Sequence, residues 1–377
     1  MTTRVEKIVE IPSTAPGTSR TLKAISYGNP ESRPKVYLQA ALHADETPGI
    51  LVLHYLQQLL DAADNRGEII GYITLVPMAN PLGTDQRVFG HMIGRYSYST
   101  GVNFNRGHTD VTEQVVREIK GKLSDDVDQN TQLIRQALKK AVSNLPAQNE
   151  VAFLKRALLS WTIDADICLD LHCDEESMLY LFTTKSTQAQ GEALSTQLGC
   201  EACISYELVN GDTFDEAAAV PWVNLAKRFP DKPIAPPPMS ITVEYRGQSE
   251  VYPDQASEDA RRLFKYLQRT NIIEGDPGTL PSATCKATPI SGLEHVRAPE
   301  AGLVVHIKEV GAHVNAGDVV SRLLNPYTSV MQDIKTRVTG KVLSRCIARM
   351  VGQGEVMVAV VGDQPFERVA GETLLSD

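Results

Sequence analysis

Two polar side chains three residues apart raise the question of chemistry. They are His43 and Glu46, in Leu42-His43-Ala44-Asp45-Glu46-Thr47-Pro48-Gly49. An imidazole and a carboxylate at this spacing can supply two ligands of a catalytic zinc, whose usual set is three N or O ligands plus an open position. They can equally be a surface histidine and a glutamate favoured by the positive end of a helix. The motif His-x-x-Glu does not decide between these. Two further stretches carry matching polar residues: Asp170-Leu171-His172 and Val243-Glu244-Tyr245-Arg246-Gly247. Two histidines and one glutamate make a catalytic zinc set, and a second glutamate can act as general base on the attacking water. Taken singly, His172 also reads as a core histidine and Glu244 as a solvated strand end.

The elements around these residues would have to bring them together. Residues 36–42 read as a buried strand. Residues 50–60 read as a helix, with Leu51, Leu53, Leu56, Leu59 and Leu60 at helical spacing and Pro48 suited to its first turn. Two β-like runs at 5–11 and 21–27 suggest a hairpin, and 71–77 is a second buried strand. Residues 83–110 form a long polar loop, a length often tied to function. Residues 111–160 read as a helical excursion. Strands follow at 165–172, 179–182 and 240–244, with helices at 188–198 and 255–268 and a proline-rich bend at 231–239. Alternating strands and helices predict an α/β fold with a sheet covered on both faces. In such a sheet the ligand lies at the carboxyl ends of the strands, where His43, His172 and Glu244 fall.

Composition narrows the classes. The 377 residues suggest two or three domains, and 42% hydrophobic with 22% charged is ordinary globular composition. A net charge of -9 argues against nucleic acid as a general partner. No apolar run reaches the roughly 18 residues needed to cross a bilayer. The start lacks a signal-peptide core, so the expected compartment is the cytoplasm, with the six cysteines as free thiols. Cys200-Glu201-Ala202-Cys203 is a lone C-x-x-C and is read as structural. Neither a Gly-x-Ser-x-Gly elbow nor a Walker loop occurs, which disfavours serine hydrolases and nucleotide enzymes.

The character changes near residue 290. Short β segments punctuated by Gly302, Gly311 and Gly317 are echoed around Gly340, Gly352 and Gly354, which suggests a small β-barrel built on a quasi-repeat. This part resembles a biotinyl/lipoyl-type domain. The carrier lysine of such domains would fall near Ser329 or Val330, and residues 325–331 contain no lysine. The expected division is a catalytic domain over 1–289 and the β-barrel domain over 290–377.

His43-x-x-Glu46, then Asn105-Arg106, then His172, then a late Glu244 resembles the pattern of the succinylglutamate desuccinylase/aspartoacylase family of the zinc carboxypeptidase superfamily. The match runs over most of residues 35–250. The resemblance implies a zinc-carboxypeptidase-like mixed sheet flanked by helices. It implies one zinc held by His43, Glu46 and His172, with Glu244 activating water. It further implies that Asn105 and Arg106 grip a substrate carboxylate, a task for which arginine offers two parallel hydrogen bonds. An arginine before Asn-Arg polarises the scissile carbonyl in this family; Arg95 matches by context and Arg87 competes. The aspartate that commonly precedes the Asn-Arg pair is Asn103 here. The expected substrate is a small N-acyl amino acid, with a short peptide as the alternative and a homo-oligomer left open. A closed pocket capped by the β-domain would favour deacylation, and an open cleft would favour a carboxypeptidase.

Overall fold

The computed structural model describes residues 2–208 and 212–366. Nine strands form its main sheet: β1 (Val5–Ile11), β2 (Arg20–Tyr27), β3 (Lys35–Ala40), β4 (Tyr72–Val76), β5 (Ile167–Asp174), β6 (Leu179–Thr184), β7 (Ala202–Tyr206), β8 (Met239–Gly247) and β9 (Ala287–Pro289). Their spatial order is β1-β2-β4-β3-β5-β8-β6-β7-β9. The centre is parallel, β4-β3-β5-β8, and β6 runs antiparallel to β8. The expected hairpin is β1-β2, paired Val5 to Ser26 through Ile11 to Arg20.

Helices cover both faces: α1 (Pro48–Arg66), α2 (Thr112–Ile119), α3 (Val127–Ser143), α4 (Glu150–Thr162), α5 (Gln188–Leu198), α6 (Phe214–Arg228) and α7 (Pro253–Arg269). The expected excursion is α2 to α4. Helix α1 outruns its sequence expectation, because Pro48 seeds its first turn and only Gly67, at φ 75°, ends it. Gly49 lets that first turn sit on the sheet, since a Cβ there would come within 2.9 Å of the Leu171 Cβ. Helix α6 is a finding that sequence reading did not reach. Pro221 lies inside it, and proline normally breaks a helix. Burial of Phe214, Ala217, Ala218, Trp222 and Leu225 holds it regardless.

Strand parity sorts the centre of the sheet. Leu38, Ala40, Leu169, Leu171, Ile241, Val243 and Tyr245 belong to the core packed under α1 and α7. Successive strand side chains alternate, so Gln39, Asp170, His172, Thr242 and Glu244 face the other way. Registry puts Gln39 opposite Asp170, Thr242 opposite Asp170 on its other side, and Glu244 opposite His172. A single polar stripe therefore crosses three buried strands.

The C-terminal strands form two antiparallel sheets. One runs Leu293–Arg297, Val356–Gly362, Gly340–Arg345 and His313–Val314, and the other Val330–Lys335, Val319–Asn325, Gly302–His306 and Met350–Val351. Val296, Val342, Val358 and Val360 of the first share one core with Val304, Val320, Leu323 and Ile334 of the second. The turn between Asn325 and Val330 carries Tyr327, 99% exposed, and no lysine. Glu176–Ser177, a few residues beyond His172, pairs with Ser344 and Arg345. Arg345 and Arg349 both grip the Glu176 carboxylate at 2.8 Å, and Glu175 accepts the Ile347 N–H.

Candidate active site

Three strand ends deliver the site. Beyond β3 the chain turns at Ala41, which takes φ 58°, a left-handed conformation costing an L-residue about 1–2 kcal/mol. The turn is pinned: Asn80 Nδ2 donates to the Leu42 carbonyl at 2.8 Å, and the Glu46 N–H to the His43 carbonyl at 3.1 Å. His43 and Glu46 thereby face His172 at the end of β5. His43 Nδ1 lies 2.8 Å from Glu46 Oε1, and His172 Nδ1 2.6 Å from Glu46 Oε2. One candidate ligand atom from each of the three lies within 4.8 Å of the others, and all three residues are buried. These are N, O and N donors converging on one point, the donor set of a catalytic zinc.

Each histidine has a partner behind it, a hydrogen bond at His43 and a close charged contact at His172. His43 Nε2 lies 2.8 Å from Asn103 Oδ1, and His172 Nε2 lies 2.9 Å from Asp170 Oδ2. Asp170 Oδ1 in turn accepts Gln39 Nε2 at 3.0 Å, and Gln39 accepts the Tyr37 hydroxyl at 2.8 Å. Such partners behind metal-ligating histidines fix ring orientation. Sequence reading named Asp170 and Asn103 but assigned a role behind the histidines to neither. Asn103 is buried behind His43 and does not line the cavity.

Electrostatics follow from burial and neighbours. Burial opposes charge on Glu46, yet His43 and His172 hold it below the ordinary carboxylate range. Burial disfavours an imidazolium at His172, but Asp170 and Glu46 outweigh this and raise it well above its ordinary value. Burial drives Glu244 well above its ordinary value, with His172 opposing and Glu46 adding to the rise. Glu244 Oε2 is buried without a hydrogen-bond partner. A carboxyl so placed awaits either a cation or a proton donor.

Arg95 reaches the same point. Its guanidinium lies 3.3 Å from Glu46 Oε1 and 3.2 Å from His43 Nδ1. Gly94 allows the approach, since a Cβ there would run into the Asp45 backbone nitrogen. Arg87 sits in an exposed two-stranded ribbon, Arg87–Val88 against His91–Met92, away from the cavity. Asn105 accepts the Phe214 N–H on its Oδ1 at 2.8 Å, which ties it to the start of α6 and leaves its amide NH2 for the cavity. Arg106 NH1 donates to the Asn105 carbonyl at 3.0 Å, and no carboxylate among the described residues forms an ion pair with it. Glu175 and Glu176 turn away to the C-terminal strands. His108, two residues beyond Arg106, opens onto a neighbouring cavity.

All seven candidates, His43, Glu46, Arg95, Asn105, Arg106, His172 and Glu244, line one cavity of about 580 Å³. Tyr206, Asp215 and Glu216 extend it, none of them singled out by sequence. The C-terminal strands supply part of its wall through Leu293, His295, Leu343 and Ala359.

Fold and cavity together define an α/β protein with a candidate metal centre at the carboxyl ends of its parallel strands. The family model of the succinylglutamate desuccinylase/aspartoacylase catalytic domain matches residues 32–269, and the chain belongs to that family. A family protein from Shewanella amazonensis SB2B is 26% identical, with a TM-score of 0.83 over 95% of this chain and 98% of that one. Another, from Shewanella frigidimarina NCIMB 400, is 24% identical with a TM-score of 0.83, covering 96% and 98%. The ectoine utilization protein EutE (DoeB) from Ruegeria pomeroyi, solved with product bound, shares the fold at 15% identity and a TM-score of 0.65 over 95% of each chain. No curated protein matches the chain. No helix among the described residues is long and apolar enough to cross a membrane.

Proposed function

We propose that this protein is a zinc-dependent hydrolase that removes the acyl group from a small N-acyl amino acid. One observation carries the reading: the Nδ1 atoms of His43 and His172 converge on the two oxygens of Glu46, at a cavity that also holds Arg106 and the unpartnered Glu244. The donor set fits zinc, and His43, Glu46 and His172 would hold it. When bound, zinc acidifies water and polarises a carbonyl. The remaining steps belong to the chain. Arg106 receives the substrate carboxylate through paired hydrogen bonds, and the Asn105 amide adds a donor beside it. Glu244 accepts the proton of the attacking water and returns it to the leaving nitrogen. Arg95 steadies charge growing on the carbonyl oxygen.

A carboxypeptidase would need room for a peptide. The wall formed by Leu293, His295, Leu343 and Ala359 supports the smaller substrate. We take the division at residue 289/290 to separate a hydrolase domain from a β-barrel domain of the biotinyl/lipoyl type, whose residues 367–377 lie outside those described. Six free cysteines suit a reducing cytoplasm. The test is a hydrolysis screen of zinc-loaded protein over N-acyl amino acids and short peptides. Turnover of N-acyl amino acids with peptides inert is the expected result. Cleavage of peptides alone would move the protein to the carboxypeptidase class.

A further inference from the structure

A second cavity, of about 300 Å³, lies beside the first, between the Asn103–His108 strip and α4. Two cations line it, Lys155 and Arg156, and no acidic side chain among the described residues does. In a chain of net charge -9 that is a local inversion of sign. Its floor is apolar, with Leu145, Val151 and Leu159 buried.

His108 is the singular group here. It is 7% exposed, and its Nε2 has no hydrogen-bond partner. The Phe104 carbonyl favours a proton on the other ring nitrogen, Nδ1, and in that tautomer Nε2 is a bare acceptor. Burial first, then the positive charge of Lys155, pushes the imidazole down to about 3, so it is neutral at physiological pH. Lys155 Nζ donates to the backbone carbonyls of Arg106 and Asn103, and an ammonium has three N–H bonds, so one remains. Arg156 uses one donor on the Leu145 carbonyl at 3.0 Å and keeps others. The nearby Asp212 is engaged by the Gly107 N–H at 2.8 Å and lines the first cavity rather than this one.

We propose that this cavity is a second binding site, for a small carboxylic acid carrying a hydrogen-bond donor on its 2-position, a 2-amino or 2-hydroxy acid. The carboxylate meets Lys155 and Arg156. The ammonium or hydroxyl donates to His108 Nε2 and satisfies a buried acceptor that is otherwise unmatched. A plain carboxylate offers His108 nothing and brings a like-signed lone pair towards it. Because Lys155 also holds the carbonyl of Arg106, an occupant here touches the backbone that presents the first cavity's arginine.

The test uses zinc-loaded protein and three probes, glycine, glycolate and acetate, followed by saturation-transfer NMR titration at fixed ionic strength. Glycine or glycolate should bind at least about tenfold more tightly than acetate, the scale of loss when a buried acceptor is left unsatisfied. Which of the two binds more tightly tells whether the natural occupant is an amino or a hydroxy acid. Arg156→Gln, at a half-exposed position, should weaken binding about tenfold or more, and Arg106→Gln should leave it in place. His108→Phe should erase the preference over acetate. Should that variant not fold, the Arg156→Gln and Arg106→Gln pair still decides. Absence of saturable binding, equal binding of all three probes, or loss with Arg106→Gln but not with Arg156→Gln would overturn the proposal.

Discussion

Asn103 Oδ1 lies 2.8 Å from His43 Nε2, and the same oxygen accepts the Asn105 N–H at 2.8 Å. The second bond pins the amide: the atom facing His43 is the oxygen, which can only accept. His43 therefore carries its proton on Nε2 and turns the Nδ1 lone pair towards Glu46 and the candidate metal position. Asn103→Ala removes the acceptor and should weaken zinc affinity by about 10–100-fold. Asn103→Asp keeps an acceptor and should retain most of it. Competition against a chelating dye measures both, and an unchanged affinity in the alanine variant would deny Asn103 its orienting role.

The purified protein should carry about one zinc per chain. His43→Ala, Glu46→Ala and His172→Ala should each lose most of it by elemental analysis. Metal that survives all three changes must be bound elsewhere.

Arg106 and Glu244 should fail differently. Arg106→Lys keeps the charge and loses the paired geometry, so KM should rise about tenfold or more with a smaller fall in kcat. Glu244→Gln should keep zinc and substrate and lose at least about 10²-fold in kcat, the range attributed to a general base. Near wild-type turnover in Glu244→Gln with zinc in place would dismiss it as the base, and Glu175 and Glu176, tied to the C-terminal strands, offer no ready replacement.

A fourth expectation concerns acid. At the amino-terminal end of β5, Asp164 meets Arg33 at 2.6 Å and Lys35 and Lys139 at 2.8 Å. Burial opposes its charge, but Lys139, Lys35 and Arg33 hold it below its ordinary 3.8. A depressed folded-state value gives stability that is full above the unfolded value and lost as pH falls through the folded one. Asp164→Asn should cost about 2 kcal/mol near pH 7, typical of hydrogen bonds to charged groups. The Tm difference from wild type should shrink as pH drops below 3.8. A difference that stays constant with pH would assign the loss to packing.

Sequence carried much of this site because its residues sit at strand ends, where polar side chains interrupt buried runs. His172 and Glu244 were legible that way, and register sets them side by side. Asp170 was not: inside Ile167–Asp174 it reads as one more alternation, and only the register with Gln39 and Thr242 shows it behind His172. Nor was the role of Asn103, whose partner His43 lies 60 residues away. Helix α6 hid behind Pro221, where tertiary burial overrules local propensity. Nearness to Arg106 in sequence does not say which wall His108 faces, and it lines the neighbouring cavity.

The short pairing of Glu176–Ser177 with Ser344–Arg345 gives the candidate metal centre a second meaning. His172 and Glu176 belong to one uninterrupted stretch of backbone, so the segment that presents the candidate ligand also seats the C-terminal sheet. Thermodynamic linkage then runs both ways along it. Zinc bound to the folded state alone adds RT ln(1 + [Zn]/Kd) to the free energy of unfolding everything that unfolds with that segment. Should the candidate site hold zinc, the C-terminal sheets would be part of what it stabilises, and loosening of the Arg345–Glu176 clamp should register as weaker metal affinity at a site that no C-terminal residue ligates.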